Sequence, residues 1–195
     1  MGKIMAGFTM SLDGFIADPN DDVSLIFKWY SAGDVDFPLA GPDLVFKISQ
    51  ASADYLREAW STLGAIVTGR RDFDVSNAWG GTALMGLPMF IVTHHPPQEW
   101  AYEGSPFTFV TEGVEAALEQ ARAAAGDKNV GVGGTQIVQQ ALRAGLIDQL
   151  DIDLAPVLLS DGIRLFDNLP EPIELEIQRV IEGTGVTHIS YRVCK

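Results

Sequence analysis

Apolar residues first come in short unbroken runs and later in strict alternation, and that change of rhythm sets the expected architecture. Residues 3–9 (KIMAGFT), 64–68 (GAIVT), 88–93 (PMFIVT) and 107–110 (FTFV) are runs of strand length, suited to strands covered on both faces. Between them the spacing becomes helical. Over 46–61, Ile48, Ala51, Tyr55, Leu56, Ala59 and Trp60 share one stripe. A second helix is expected over 112–125, with Thr111 as its cap. Residues 23–31 suit a short helix, residues 18–22 a polar turn, and residues 33–42 read as irregular.

The most informative stretch is 129–142. Val130 and Val132 suit a strand, and Gly133 and Gly134 remove side chains where the chain must turn. Thr135 is the expected cap of a helix whose apolar positions Ile137, Val138, Ala141 and Leu142 continue until Gly145 stops it. Then the period becomes two. Leu150, Ile152 and Leu154 alternate with Asp151 and Asp153, in a strand expected to run on to residue 159. Residues 173–181 and 186–193 alternate around Glu182-Gly183-Thr184-Gly185, a hairpin signature. Strand–helix units followed by antiparallel strands predict an α/β fold. Its central sheet is mixed and mostly parallel, with helices on both faces and a C-terminal antiparallel hairpin.

The 195 residues fit one domain, 1–195, with 47% hydrophobic and 20% charged residues, as in a folded soluble protein. No apolar run is long enough to cross a bilayer, and the opening MGKIMAGFTM lacks the parts of a signal peptide. The single cysteine, Cys194, has no internal partner, so a cytoplasmic setting is expected. A net charge of -13 argues against a nucleic-acid partner, and it makes the few basic clusters stand out.

Ligands of such sheets gather at the carboxyl ends of the strands. Four polar or glycine-rich segments fall there: Ser11 to Gly14, Gly69-Arg70-Arg71, Thr93-His94-His95, and Gly133-Gly134-Thr135. Arg70 and Arg71 suit bidentate pairing with phosphate, and a helix opened by glycines suits a pyrophosphate. Each has a plainer reading. The arginines can be surface charges, the histidines a solvated loop, Asp13 a turn residue before Gly14, and the paired glycines a device for tight packing. A Rossmann fingerprint fails, because Gln136 stands where its third glycine belongs. Adjacent histidines make a poor metal site, no metal is expected, and nothing supports covalent catalysis.

Taken together and in order, these segments resemble the dihydrofolate reductase-like fold. More closely, the chain is similar to the reductase domain of the riboflavin-biosynthesis deaminase–reductase. The residues that carry the resemblance are TMSLDGFIA (9–17), AIVTGRR (65–71), VGVGGT (130–135), and GLIDQL (145–150) through APVLL (155–159) with Leu165-Phe166. The resemblance implies an NADPH-binding reductase related to 5-amino-6-(5-phosphoribosylamino)uracil reductase. Arg70 and Arg71 would lie near the adenosine 2′-phosphate, with Gly69, Thr93 and His94 at the same end. Gly133, Gly134, Thr135 and Gln136 would form the pyrophosphate loop. Ser11 and Gly14 would belong to the loop beside the nicotinamide, where Asp13 would orient a polar substrate and serve catalysis. A homodimer is also implied.

The chain departs from the family it resembles in three ways. Asp72 replaces a common threonine beside the arginines, no zinc-deaminase motif is present, and residues 18–50 are long and acidic with no ribose-phosphate pattern. No helix carboxylate of the dihydrofolate reductase kind aligns either; Asp54 and Glu58 read as solvated helix residues. The expected activity is hydride transfer from NADPH to a small pteridine- or pyrimidine-like heterocycle. The alternative is a non-catalytic nucleotide- or small-molecule-binding protein on the same fold.

Overall fold

The computed structural model describes residues 2–39, 44–167 and 169–195. Twelve strands are described: β1 (Ile4–Ser11), β2 (Phe15–Ala17), β3 (Val35–Leu39), β4 (Leu44–Ile48), β5 (Leu63–Gly69), β6 (Met89–Val92), β7 (Phe107–Val110), β8 (Asn129–Val132), β9 (Gln149–Ala155), β10 (Ile163–Arg164), β11 (Leu175–Gly183) and β12 (Val186–Val193). Four α-helices accompany them: α1 (Gln50–Ser61), α2 (Arg70–Val75), α3 (Val114–Ala125) and α4 (Thr135–Arg143).

Eight strands form one sheet in the order β11-β12-β9-β1-β8-β5-β6-β7. Every pairing from β9 to β7 is parallel, and β12 joins β9 and β11 antiparallel. This is the mixed, mostly parallel sheet with a C-terminal hairpin that the change of hydrophobic period implied. Gly185, at φ 74°, sits in the two-residue loop that closes the hairpin, a conformation that costs glycine little.

Both faces are covered. Ile4, Ala6, Val67 and Val130 pack against α3 and α4 through Ala117, Leu118, Val138 and Ala141. On the other face, Trp29, Phe37 and Ile48 gather with Ala53, Tyr55 and Leu56 of α1 at one side. Phe73, Met89, Ile91 and Phe107 form a second aromatic cluster at the other side. Trp29 is 1% exposed, so it belongs to the core rather than to an interface.

Several boundaries differ from the sequence reading. The helix expected over 46–61 begins at Gln50, because Leu44–Ile48 pairs with Val35–Leu39 as a hairpin and Ser49 accepts the Ser52 N–H as the helix cap. Residues 40–42 of the stretch read as irregular lie outside the described residues. Thr111 does not cap α3; Gly113 at φ 101° makes the turn, while the Thr111 hydroxyl meets the Glu112 carboxylate. Thr135 does not cap α4 either, since Gly134 holds the cap position at φ 75°. Gly145 does stop that helix. Its N–H bonds the Leu142 carbonyl and the Leu146 N–H bonds the Ala141 carbonyl, closing the last turn. The strand expected to reach 159 leaves the sheet after Ala155, where Pro156 has no N–H for the ladder.

Candidate functional site

Strands β1, β8, β5 and β6 are consecutive neighbours and parallel, so their carboxyl ends lie side by side. The segments that follow β5, β6 and β8 converge there on one cavity of about 1040 Å³, at the upper end for a single small ligand. The cavity continues down the sheet face that carries α1, between the two aromatic clusters. Its floor is bare where β1 and β8 present Gly7 and Gly131. A Cβ placed on Gly7 would meet nothing within 4 Å. Glycine inside a central strand costs stability, and it makes sense where a ligand approaches the backbone.

The end nearest the strand tips is suited to an anion. A Cβ on Gly133 would come within 3.1 Å of Thr68 Oγ1, and one on Gly134 within 3.2 Å of the Gly69 nitrogen; both contacts are tight, and at Gly134 the φ of 75° also favours glycine. No side chain caps α4, and Gly134, Thr135 and Gln136 line the cavity with that helix terminus. The unmet cap is the physical consequence of choosing glycine over a capping side chain. Arg70, Arg71, Gly69, Thr93 and His94 also line this end.

The two arginines are already engaged. Arg70 donates from Nε to both Asp74 oxygens at 2.8 and 2.9 Å, and from Nη1 to the His95 carbonyl at 2.6 Å. Arg71, well exposed, donates from Nη2 to both oxygens of Asp21 at 2.8 and 2.9 Å. Thr93 makes a local turn, its hydroxyl accepting the His95 N–H and donating to the His95 carbonyl. Asp72 points beneath the glycine loop, where it accepts the Thr68 hydroxyl at 2.6 Å. Burial pushes its carboxyl up, so it loses its proton less readily than an exposed aspartate.

Ser11, Asp13 and Gly14 are not among the residues that line the cavity. Asp13 accepts the Ser11 hydroxyl at 2.6 Å and the N–H groups of Leu159 and Ser160 at 3.1 and 2.8 Å. Those hydrogen bonds, the Ser11 hydroxyl first, hold its carboxyl down at about 2. Its carboxylate thus fastens the turn after β1 to the chain that leaves β9. Asp54 and Glu58 lie on the outside of α1, paired with Arg57 and Arg179.

The inner end of the cavity is built from residues that the sequence reading did not assign to a site. Gly7 and Thr9 of β1 lie beside Asp151 and Asp153 of β9, which lie beside Ser190 and His188 of β12. All six therefore share one face. Asp151 and Asp153 line the cavity with Tyr30, Tyr55 and Thr9. Asp151 accepts the Gln149 amide through both oxygens at 3.1 Å. Asp153 Oδ1 meets His188 Nδ1 at 2.6 Å, and His188 Nε2 meets Ser52 Oγ at 2.8 Å. Burial pushes the Asp153 carboxyl up, His188 opposes that shift, and the charge of Asp151 adds to it. Serine, histidine and aspartate follow here in the order of a hydrolytic triad. Yet Ser52 is 1% exposed, meets Ser49 with the same oxygen and is absent from the cavity wall, so it is no nucleophile.

One signal could have revealed this end. Alternating aspartates read as a solvated strand face, but β9 is an interior strand of a sheet covered on both sides. Asp151 is only 9% exposed. No group of three or more histidine, cysteine or acidic side chains among the described residues could hold a metal, and no described helix is long and apolar enough to cross a membrane.

The sequence pattern described as the RibD C-terminal domain matches residues 2–188. The uncharacterised protein YwjB of Bacillus subtilis (strain 168) is 22% identical over 177 residues, which is 90% of this chain and 89% of that protein. A solved protein from Shewanella sp. PV-4, ascribed to riboflavin biosynthesis, superimposes with a TM-score of 0.76 at 19% identity, covering 99% of both chains. A pyrimidine reductase-like protein of Corynebacterium diphtheriae superimposes with a TM-score of 0.67 at 14% identity, covering 100% of this chain and 92% of its own. At these identities the superpositions establish the shared fold.

Proposed function

The chain belongs to the RibD C-terminal domain family, and on that footing we propose that it is an NADPH-dependent reductase of a small nitrogen heterocycle. The observation that carries the reading is the convergence of three neighbouring strand tips on one cavity. They bring a glycine-opened helix terminus and two arginines to the same end. That donor set fits a phosphorylated dinucleotide: α4 and the glycine loop for the pyrophosphate, Arg70 and Arg71 for a further phosphate. The open floor at Gly7 and Gly131 gives a flat ring room to lie along the sheet.

NADPH would supply the hydride, and the protein's part is to bind, orient and provide a proton. Hydride added to the carbon of a C=N or C=O bond leaves the nitrogen or oxygen to be protonated. Asp153 is the group suited to that step, because it lines the cavity, lies beside His188 and holds a proton more readily than an exposed aspartate. Asp13, engaged with Ser11, Leu159 and Ser160 away from the cavity wall, is suited to holding the loop. Arg71 must exchange Asp21 for the cofactor phosphate. Asp72 beside the arginines and the lack of a ribose-phosphate pattern over 18–50 favour a second reading, in which a nucleotide or other small molecule is bound without turnover.

Titrating the protein with NADPH while following tryptophan fluorescence tests the site. Micromolar binding that is lost in an Arg70→Ala/Arg71→Ala variant is expected. Unchanged binding in that variant would remove the assignment of this end. Oxidation of NADPH with dihydropterins, pyrimidinones or quinoid carbonyls separates the reductase from the binding protein.

A further inference from the structure

The cavity has two chemically opposite ends. Its cationic residues, Arg70 and Arg71, follow β5. Its inner carboxylates, Asp151 and Asp153, lie on β9, three strand spacings away, roughly 14 Å across the sheet. Among the described residues, no lysine or arginine lines the inner end. A phosphate placed there would face two carboxylates without a counter-charge in a partly desolvated site, where repulsion is strong.

A second observation bears on what this end binds. Tyr55 is only 5% exposed and lines the same end, and among the described residues its buried hydroxyl forms no well-made hydrogen bond, with Ser190 and Asp151 as its polar neighbours. Burial and the neighbouring charges of Asp151 and Asp153 push its phenol up, so it remains a neutral donor and acceptor. A buried polar group left without a partner is costly, and a ligand that meets it recovers that cost. Tyr30, stacked between Trp29 and Phe46 at ring separations of 4.0 and 4.1 Å, is held rigidly and also lines the cavity with the carboxylates.

We propose that the inner end takes a flat nitrogen heterocycle offering adjacent N–H donors or a positive charge to Asp151 and Asp153, an acceptor to the Tyr55 hydroxyl, and no phosphate. This substrate class rests on the reductase reading above and narrows it. Burial and the charge of Asp151 keep the Asp153 carboxyl pushed up, and a ring that brings N–H donors or a positive charge to this strand face offsets that unfavourable proximity. Asp151 is oriented by Gln149 and Asp153 by His188, so each acceptor is fixed before the ligand arrives. Uncharged dioxo rings lack the matching donors, and phosphorylated rings add the wrong charge.

Calorimetric titration with 2,4-diaminopyrimidine, uracil and uridine 5′-monophosphate, each with and without NADP⁺, tests the proposal. The diamino ring is expected to bind at least ~10-fold more tightly than either of the others. Asp151→Asn and Asp153→Asn should each weaken it by ~10-fold or more, and Tyr55→Phe by a smaller factor, in line with a neutral hydrogen bond. Equal or tighter binding of uracil or of the monophosphate overturns the proposal, as does undiminished diaminopyrimidine affinity in folded aspartate variants. If Asp153→Asn fails to fold, Asp151→Asn and the ligand ranking in the unaltered protein decide. NADPH is titrated separately. Its failure to bind while the diamino ring binds refutes the reductase reading alone, and the converse refutes the inner site alone.

Discussion

Replacing Gly7 with valine separates stability from ligand binding. Gly7 lies in β1, between the strand that carries the glycine loop and the strand that carries Asp151. Its φ is not in the left-handed region, and a Cβ there meets no atom within 4 Å. The fold therefore gives no steric reason for glycine. Removing the unfolded-state freedom of glycine and adding a β-branched residue to a strand should stabilise the chain by about 0.5–1 kcal/mol. For a domain of this size that is a rise in Tm of about 1–4 °C. The same methyl groups project into the cavity floor and overpack any ring lying there. Overpacking of about 1–3 kcal/mol corresponds to a rise in the NADPH Kd of roughly 5- to 150-fold. Thermal unfolding and NADPH titration of the same preparation read both effects. Wild-type NADPH affinity in Gly7→Val would refute the placement of the ligand over β1. A fall in Tm would refute the claim that the glycine serves the ligand and not the fold. Gly131→Ala, whose added carbon would meet Leu63 and the Ala65 carbonyl at ordinary contact distance, should show a weaker version of both effects.

Three further outcomes are expected. Asp13→Asn should lower Tm and leave NADPH affinity unchanged, because the side chain braces residues 159–160 outside the cavity. Since Asp13 titrates at about 2, below its ordinary 3.8, its contribution is complete above pH 3.8 and fades only as pH falls toward 2, which acid unfolding of the two proteins checks. Asp72 shifts the other way, so raising pH through its elevated titration should weaken both stability and NADPH binding as a charge appears beneath the glycine loop; Asp72→Asn should flatten both profiles. Finally, β11 is an edge strand with Ile177 and Val180 more than half exposed, a surface suited to the expected homodimer. Ile177→Lys with Val180→Lys should shift light scattering from dimer to monomer, and an unchanged mass in those variants would place the interface elsewhere.

How much of this was legible in the chain depends on the range of the interaction involved. Strand runs at 64–68 and 88–93, the 182–185 turn and the stop at Gly145 are local, each fixed by a few residues' own conformational and burial preferences. Those preferences gave the mixed sheet, its order of elements and the segments at the ends of β5, β6 and β8. Boundaries were lost where two local preferences competed. Leu44–Ile48 has helical spacing with the residues after it, but it pairs instead with Val35–Leu39, a partner that no short window contains. Glycine likewise displaced threonine at the start of α4 because the backbone there needed a positive φ more than a cap.

The inner site lay beyond that range. Sequence alone placed Asp151 and Asp153 on one strand face, but solvent or interior could not be told apart until α1 and the chain before it covered that face. Only the tertiary arrangement brought Tyr55 from α1 and the aspartates of β9 to one wall, with His188 from β12 buried beside Asp153, because register across a sheet is set by pairing of distant strands and not by neighbours in the chain. It also drew Asp13 away to residues 159–160, since its geometry was decided by where β9 ended. The chain by itself determined an α/β fold with glycine-rich turns at its strand ends; packing determined which carboxylates line the cavity.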